Sequence, residues 1–340
     1  MNELLDTREL IIDSGASFDH MYGEAVGIQK LCEDYTITNA NGLNTRFDTS
    51  GGVNLLYSPD NDEVRKVSMS RYALGQLCSK LGVPVRYIDK CISEGMLDLV
   101  SDNLNAWLED YNKTLLIREY NNSIRGVLSD RYSIMDAPDI LSILGDVIDS
   151  RQYKTKGYFL TPERFHARVV QKEMMNIDGE DLFAGVQIDS SDVGRSILSV
   201  KFFIFKQVCT NGLTVTKGGG ILFEQKHIGI SSDDFRLGLK EAMSRIPLLE
   251  QNAKEMIERH RRDRFISLEN EETFKNFTEQ IKQKTKLSDE AVTKVVEKMN
   301  NLYTPTKWGL INSITDVAKD YTLERRLELE KIAGEMLQVA

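Results

Sequence analysis

The period of the apolar residues changes twice along this chain, and this change limits the folds that are open to it. Between about residues 70 and 110, apolar side chains such as Leu74 and Leu77 recur at helical spacing. Over residues 114–228 the pattern is that of β-strands, and from about residue 233 it is helical again. The sequence therefore predicts an α+β fold with an N-terminal helical unit, a central mixed or antiparallel sheet and a helical C-terminal region.

Three regions are expected on the same grounds. Residues 1–65 are rich in Gly, Asn, Asp and Ser and show little period, which indicates an irregular N-terminal arm with short strands. Residues 66–230 are expected to hold the helical unit and the sheet core, and residues 231–340 the C-terminal helices. Inside the sheet region, Tyr120-Asn121-Asn122 separates two strand-like runs and predicts a hairpin turn.

Both tryptophans are predicted to be buried. Trp107 and Trp308 each lie in an apolar stripe at helical spacing. Because a large aromatic side chain contributes most to stability when it is removed from water, we expect both indoles to be shielded from solvent.

The composition is that of a folded protein from a reducing compartment. Of the 340 residues, 41% are hydrophobic and 28% are charged. No apolar run approaches the ~20 residues of a membrane-spanning helix, and the first residues lack the order of a signal peptide, so we expect a cytoplasmic protein without membrane contact. The cysteines lie far apart and none has a histidine at metal-ligand spacing, so neither a disulfide, a metal nor a cofactor is expected.

Charge is distributed unevenly along the chain. Residues 1–150 carry 13 Lys and Arg against 24 Asp and Glu, whereas residues 151–230 carry 11 against 8. The net charge of −9 argues against loose, charge-driven coating of DNA. It does not exclude a local basic face in the middle of the chain.

Basic and aromatic side chains in and near this middle region are the candidate contacts for nucleic acid. Arginine could bind phosphate through bidentate hydrogen bonds, and Tyr132 could stack on a base. The alternative is structural: Asp130 or Asp136 pairs with Arg131, and Tyr132 packs in the core with its hydroxyl hydrogen-bonded. The candidate contacts are Arg118, Arg125, Arg131, Tyr132, Lys201, Lys206, Lys217 and Lys226.

Three other motifs have both a functional and a structural interpretation. Asn211-Gly212 could place exposed amides around an anion, or could simply reverse the chain. Cys209 could act as a nucleophile only if a base such as His227 lay beside it. Asp189 and Asp192 could bind a divalent ion, and a polar turn explains them equally well.

Several short segments carry a family likeness. They are Ala73–Leu77, Gly82–Tyr87, Asn103–Leu108, Arg125–Tyr132 followed by Asp136, Ser190–Gly194, Val208–Leu213 and Lys307–Thr315. In this order they resemble the phage- and plasmid-like family called domain of unknown function 932, over about residues 65–320. The resemblance implies a phage, prophage or plasmid origin. It carries no established activity, so it transfers no catalytic residue.

Two functions from different classes fit these observations. The first is a nucleic-acid-associated protein of a phage or plasmid, for example one that binds single strands in replication or recombination. The alternative is a protein–protein interaction factor that acts on a host machine or defence system, and an oligomer is compatible with either. An enzyme is less favoured, because no nucleophile, metal or cofactor constellation appears. A continuous positive groove in the structure would favour nucleic acid, and scattered charges would favour a protein partner.

Overall fold

The computed structural model describes residues 11–12, 17–38, 43–48, 51–58, 64–206, 211–215, 220–264 and 271–337. Over these residues the helices are α1 Phe18–Gln29, α2 Arg71–Leu81, α3 Val85–Ser93, α4 Leu97–Glu109, α5 Ala137–Val147, α6 Ser232–Arg262, α7 Glu271–Thr285, α8 Asp289–Asn301, α9 Lys307–Val317 and α10 Leu323–Leu337. The strands are β1 Ile11–Ile12, β2 Cys32–Ile37, β3 Asn44–Phe47, β4 Val53–Tyr57, β5 Arg65–Met69, β6 Leu115–Tyr120, β7 Ser123–Ser129, β8 Tyr153–Leu160, β9 Phe165–Gln171, β10 Met175–Ile177, β11 Glu180–Ser190, β12 Leu198–Lys206, β13 Asn211–Val215 and β14 Ile221–Gln225. The predicted α+β fold, with helices before and after the central strands, is confirmed.

The larger of two sheets has eight strands in the order β1-β8-β9-β11-β12-β13, with β10 added to β11 and β14 to β12. Its strand pairs are antiparallel. One face presents apolar side chains such as Val186 and Phe202 to the main core, which includes residues of α6. The other face is partly polar, and α10 packs against it through β13. Two buried faces explain why β12 has almost no exposed residue, as its apolar sequence predicted.

The smaller sheet has six strands in the order β2-β6-β7-β5-β4-β3. The β6–β7 hairpin turns at Asn121 and Asn122, which both have positive φ, and this confirms the predicted turn. The short strands expected within residues 1–65 include β2, β3 and β4, which pair along their full length in this sheet. The alternation of apolar and polar residues is short in each of these strands, and turn residues interrupt it between one strand and the next.

Helix α2 and the loop after β11 join the two sheets. The Gln76 side-chain amide donates to the Val193 carbonyl oxygen at 2.8 Å and accepts from the Val127 backbone N–H at 2.9 Å. A Cβ atom added at Gly126 would lie 3.0 Å from the Val193 side chain, so the loop packs closely on β7. Residues distant in sequence therefore meet at one joint between the sheets.

The C-terminal helices begin at the capping residues that the sequence contains. Ser231, Ser288 and Thr306 accept backbone N–H bonds at the starts of α6, α8 and α9. Helix α10 approaches β13 so closely that a Cβ atom at Gly334 would lie 2.0 Å from the Thr214 carbonyl oxygen. Glycine is therefore required there for contact between helix and sheet. Among the described residues, no helix is both long enough and apolar enough to cross a membrane.

The burial prediction is right for one tryptophan and wrong for the other. Trp308 is 5% exposed, whereas Trp107 is 42% exposed. On α4 the fully buried positions are Val100, Leu104 and Leu108, which recur every four residues. Trp107 lies at the edge of that stripe, where the helix turns toward solvent.

Fluorescence quenching should distinguish the two indoles. A Trp308→Phe protein, which retains Trp107, should be quenched readily by acrylamide because its indole contacts water. A Trp107→Phe protein, which retains Trp308, should resist quenching until it is denatured. Equal quenching of the two native proteins would contradict this placement of the helices.

Candidate nucleic-acid interface

Arg118 is fully buried and lies at the centre of an ionic network. Its guanidinium donates to both carboxylate oxygens of Asp34 and of Asp136 at 2.6–2.9 Å, and to the Asp192 carbonyl oxygen at 2.6 Å. Burial opposes its charge, but the hydrogen bonds to Asp136 and Asp34 hold the pKa of Arg118 above its ordinary value. These bonds use all the N–H groups of the side chain, so none is left to bind a phosphate.

Arg125 is also buried and belongs to the same network. It donates to the Pro162 carbonyl oxygen and lies 3.4 Å from a carboxylate oxygen of Asp192 and 3.7 Å from one of Asp136. Burial and repulsion from Asp136 raise the pKa of Asp192 to about 7, although Arg125 and Arg118 oppose the shift. Asp136 thus pairs with Arg118 and Arg125, and not with Arg131 as the structural alternative had it.

Tyr132 has the packed position that the structural alternative describes. Its hydroxyl donates to the Ser191 carbonyl oxygen at 2.7 Å, and its ring stacks on His227 with centroids 5.2 Å apart. The other contact of the His227 ring joins Nε2 to the Ser190 hydroxyl at 3.1 Å, while Nδ1 has no partner within the described residues. A catalytic serine–histidine pair needs that second nitrogen held by a carboxylate. Cys209 lies outside the described residues.

The candidate lysines of the middle region have different environments. Lys201 lies 3.2 Å from a carboxylate oxygen of Asp189, and Lys206 lies at the same distance from Glu180. Both are largely shielded from solvent, and the Lys206 ammonium also lies 5.1 Å from the centre of the Tyr303 ring. Lys217 lies outside the described residues. So do Cys209 and Thr210, which precede Asn211.

Arg131 and Lys226 are the candidate cations that the structure leaves exposed. They lie on neighbouring segments, because Tyr132 and Ile228 form an isolated antiparallel bridge and the Ser133 backbone N–H donates to the His227 carbonyl oxygen at 2.9 Å. Arg131 and Lys226 are thus exposed on neighbouring segments, whereas Arg118 and Arg125 are buried in the ionic network.

A groove beside α2 collects cations that the sequence analysis did not select. We call it the α2 groove; it has a volume of about 630 Å³ and lies between α2, β7 and the loop after β11. Its charged lining residues are Arg71, Lys80 and Arg195, and none of the described residues that line it is acidic. Tyr72, Gln76 and Leu128 also line it.

Arg195 and Tyr72 form one wall of the α2 groove. The Arg195 guanidinium carbon lies 4.7 Å from the centre of the Tyr72 ring, a cation–π geometry. The same guanidinium lies 3.0 Å from a carboxylate oxygen of Glu163, which is buried and does not line the groove. Both side chains are therefore held in place while Arg195 stays one-third exposed.

The other two groove cations are held less firmly. Arg71 contacts Asp89 in an exposed ion pair, an interaction that water and salt weaken. Lys80 is half-buried, and burial lowers the pKa of Lys80 while Asp130 opposes the shift. Both cations can exchange a carboxylate partner for an incoming anion at small cost.

The α2 groove forms where three of the family-like segments meet. Ala73–Leu77 supplies α2, Arg125–Tyr132 supplies β7, and Ser190–Gly194 leads to Arg195. A sequence signal for the groove cations existed, since Arg71 and Arg195 lie within two residues of these segments. This signal was not enough to predict the groove, because no local sequence pattern indicates that segments about 120 residues apart meet.

Asp189 and Asp192 serve different networks. Asp189 contacts His166 and Lys201, whereas Asp192 contacts Arg125. Over the part of the chain that the structure describes, no group of three or more His, Cys, Asp or Glu is placed to hold a metal ion.

Comparison with known proteins identifies one family. The model of the family described as Domain of unknown function (DUF932) matches residues 125–333, which is more than half of the chain. No curated protein and no solved structure matches. The matched range begins within β7, after α2, and includes the loop after β11.

Proposed function

The chain belongs to the family of domain of unknown function 932, and we propose that it is a phage- or plasmid-encoded protein that binds single-stranded nucleic acid in the α2 groove. The observation that carries this proposal is the lining of that groove. Arg71, Lys80 and Arg195 surround it, Tyr72 adds an aromatic surface, and no acidic residue lines it in the described part of the chain.

A single strand suits this lining better than a duplex does. Proteins that hold single strands combine cations for the backbone with aromatic rings for the bases, and both are present here. A duplex is usually bound by a broad basic surface. The net charge of −9 gives no such surface, so the positive charge has to be local. The exposed Arg131 and Lys226 are candidates to extend the contact beyond the groove.

The surroundings of the groove determine how strong the binding should be. Each groove cation already has a carboxylate neighbour, Asp89, Asp130 or Glu163, with which a phosphate must compete. We therefore expect modest affinity at physiological salt. Three phosphate contacts correspond to a slope of about −2 in a plot of log affinity against log salt concentration for single strands.

Titration of a fluorescent oligonucleotide at several salt concentrations tests this function. Arg71→Gln and Lys80→Gln should each weaken binding by a few-fold and make the salt slope shallower by about 0.7, because each removes one phosphate contact. Tyr72→Ala should weaken binding by about 1–3 kcal/mol with an unchanged slope if the ring stacks on a base. Anisotropy of single-stranded DNA and RNA is the measurement, with duplex DNA in parallel.

Lys240→Gln is the matched control, since it removes one exposed cation from α6, outside the groove. It should change neither affinity nor slope. The proposal fails if no single strand binds at low salt, or if Lys240→Gln and Arg71→Gln have the same effect.

A protein partner is the second candidate function, and the exposed surface of α4 favours it. Leu99 and Trp107 on α4 and Met96 directly before it are each more than 40% exposed, and Asp98 and Asp102 of the same helix are exposed as well. Exposed apolar groups with an acidic border suit a basic amphipathic partner, such as a segment of a host protein. A photo-crosslinking residue at position 106 should give a defined adduct that Leu99→Asp removes; the absence of any such adduct in host cells would end this candidacy.

A further inference from the structure

A second cavity lies between the polar face of the larger sheet and α10. We call it the α10 cavity; its volume is about 280 Å³. Sheet residues Asp189, Ser199 and Lys201 line one side, and Lys331 and Glu328 of α10 line the other. Arg164, in the turn between β8 and β9, also contributes to the lining.

The floor of the α10 cavity is an ordered polar arrangement. In the sheet register Asp189 stands between His166 on β9 and Ser199 on β12. The Asp189 carboxylate contacts His166 Nδ1 at 2.7 Å, Gln187 Nε2 at 2.9 Å and Lys201 Nζ at 3.2 Å. A sheet face beneath a helix is usually apolar, because polar groups lose hydration there. A polar floor of this kind therefore indicates a role beyond packing.

Two donors on this floor have unused hydrogen-bonding capacity. Ser199 is 1% exposed, lines the cavity, and its hydroxyl has no hydrogen-bond partner within the described residues. Lys201 donates to Asp189, and an ammonium group has two further N–H donors. A buried hydroxyl without a partner is rare and unfavourable, so a ligand oxygen that accepts from it would be bound favourably.

The residues that line the cavity carry three positive and two negative charges, and one of the cations, Arg164, is paired with Glu324 outside the lining. The lining contains the cations Arg164, Lys201 and Lys331 and the anions Asp189 and Glu328. Burial alone would raise the pKa of Asp189, but His166, Lys201 and Gln187 hold it below its ordinary value, so the carboxylate is charged. Burial lowers the pKa of His166, although Asp189 opposes the shift. The cavity therefore favours an oxyanion through the remaining donors of Lys201 and Ser199, and not through a surplus of charge.

We propose that the α10 cavity binds a small hydroxylated molecule with one oxyanion group, a carboxylate or a phosphate, whose oxygens accept hydrogen bonds from Lys201 and Ser199. The volume admits a metabolite-sized ligand and excludes a polymer. Asp189 and Glu328 provide acceptors for the ligand's hydroxyl groups. This site is separate from the α2 groove and does not depend on nucleic-acid binding.

Calorimetric titration of the whole protein tests the proposal with three probes: ribose 5-phosphate, gluconate and ribose. At least one of the two oxyanion probes should bind saturably with one molecule per chain, and uncharged ribose should bind at least about tenfold more weakly, since it lacks the charge-assisted hydrogen bonds. Preference for ribose 5-phosphate assigns a phosphate, and preference for gluconate assigns a carboxylate.

Ser199→Ala is the informative variant because it removes only the unpartnered hydroxyl. It should leave the melting temperature of the ligand-free protein unchanged or higher, and weaken the better probe by about tenfold. Ser244→Ala, a serine on α6 that is exposed, is the control and should bind as the unaltered protein does. The absence of saturable binding by all three probes at millimolar concentration, or unchanged binding by Ser199→Ala, would overturn the assignment.

Discussion

Replacing Arg118 with methionine is expected to lower the free energy of unfolding by about 3–5 kcal/mol. Methionine fills similar space, so the loss comes from the charges that remain. Asp136 would lose both hydrogen bonds from Arg118 and keep the 3.7 Å approach of Arg125, and Asp34 would lose its paired hydrogen bonds. The network joins strands of the smaller sheet to the loop after β11, so we expect the two sheets to lose stability together. Urea denaturation followed by circular dichroism measures the change.

An exposed ion pair provides the control for this experiment. Lys294 lies 3.5 Å from Glu290 one turn away on α8, and both side chains are more than half exposed. Lys294→Met should change the free energy of unfolding by less than about 0.5 kcal/mol, because water and salt screen such pairs. If Arg118→Met costs no more than Lys294→Met, the buried network does not have the role described here.

Replacing Glu330 with leucine is expected to cost a similar amount, about 3–5 kcal/mol. Glu330 and Arg168 are both essentially unexposed and pair between α10 and the polar face of the larger sheet. Without Glu330, the Arg168 charge stays buried, and two of its nitrogens already have no hydrogen-bond partner within the described residues. Burial already lowers the pKa of Arg168, although Glu330 opposes the shift.

The double variant Arg168→Met with Glu330→Leu should recover at least half of that loss. Replacing both partners with apolar side chains removes two desolvated charges at once, and such replacements are often neutral or stabilising. Arg326, which donates to Glu330 at 3.0 Å, is also buried, so it loses this partner in every variant that lacks Glu330, and that part of the loss is not recovered. The coupling free energy from the four proteins is the measurement. Additive losses would show that the pair does not act as a unit.

The family-like segments have a structural role that their sequence did not reveal. Arg125–Tyr132 and Ser190–Gly194 come together at the joint between the sheets, where Arg125 approaches Asp192 and Tyr132 donates to Ser191. The α2 groove lies on the outer side of this joint. The residue types in such a motif are restricted for two reasons. They contact the buried ions beneath them, and they hold the lining of the groove in position.

Local sequence patterns determined most of the secondary structure. The Asn121-Asn122 turn, the helix caps at Ser231 and Ser288, and the apolar run of β12 each depend on residues within a few positions of one another. Dihedral preference, capping and period act over that range, so they can be predicted from the sequence. Short strands were expected in the first 65 residues, but their place in a sheet was not, because β2 pairs with β6, in which the partner of Asp34 lies 84 positions later.

Only the tertiary structure determined which charged side chains are buried in ion pairs and which line a surface groove. Asp34 pairs with Arg118 across 84 positions, and Arg168 pairs with Glu330 across 162. Because of these contacts, arginines whose side chains could bind phosphate are buried in structural ion pairs. Arg71, Lys80 and Arg195 instead line the α2 groove. The physical reason is that the state of a charge depends on the dielectric and the partners around it, and both are set by segments distant along the chain.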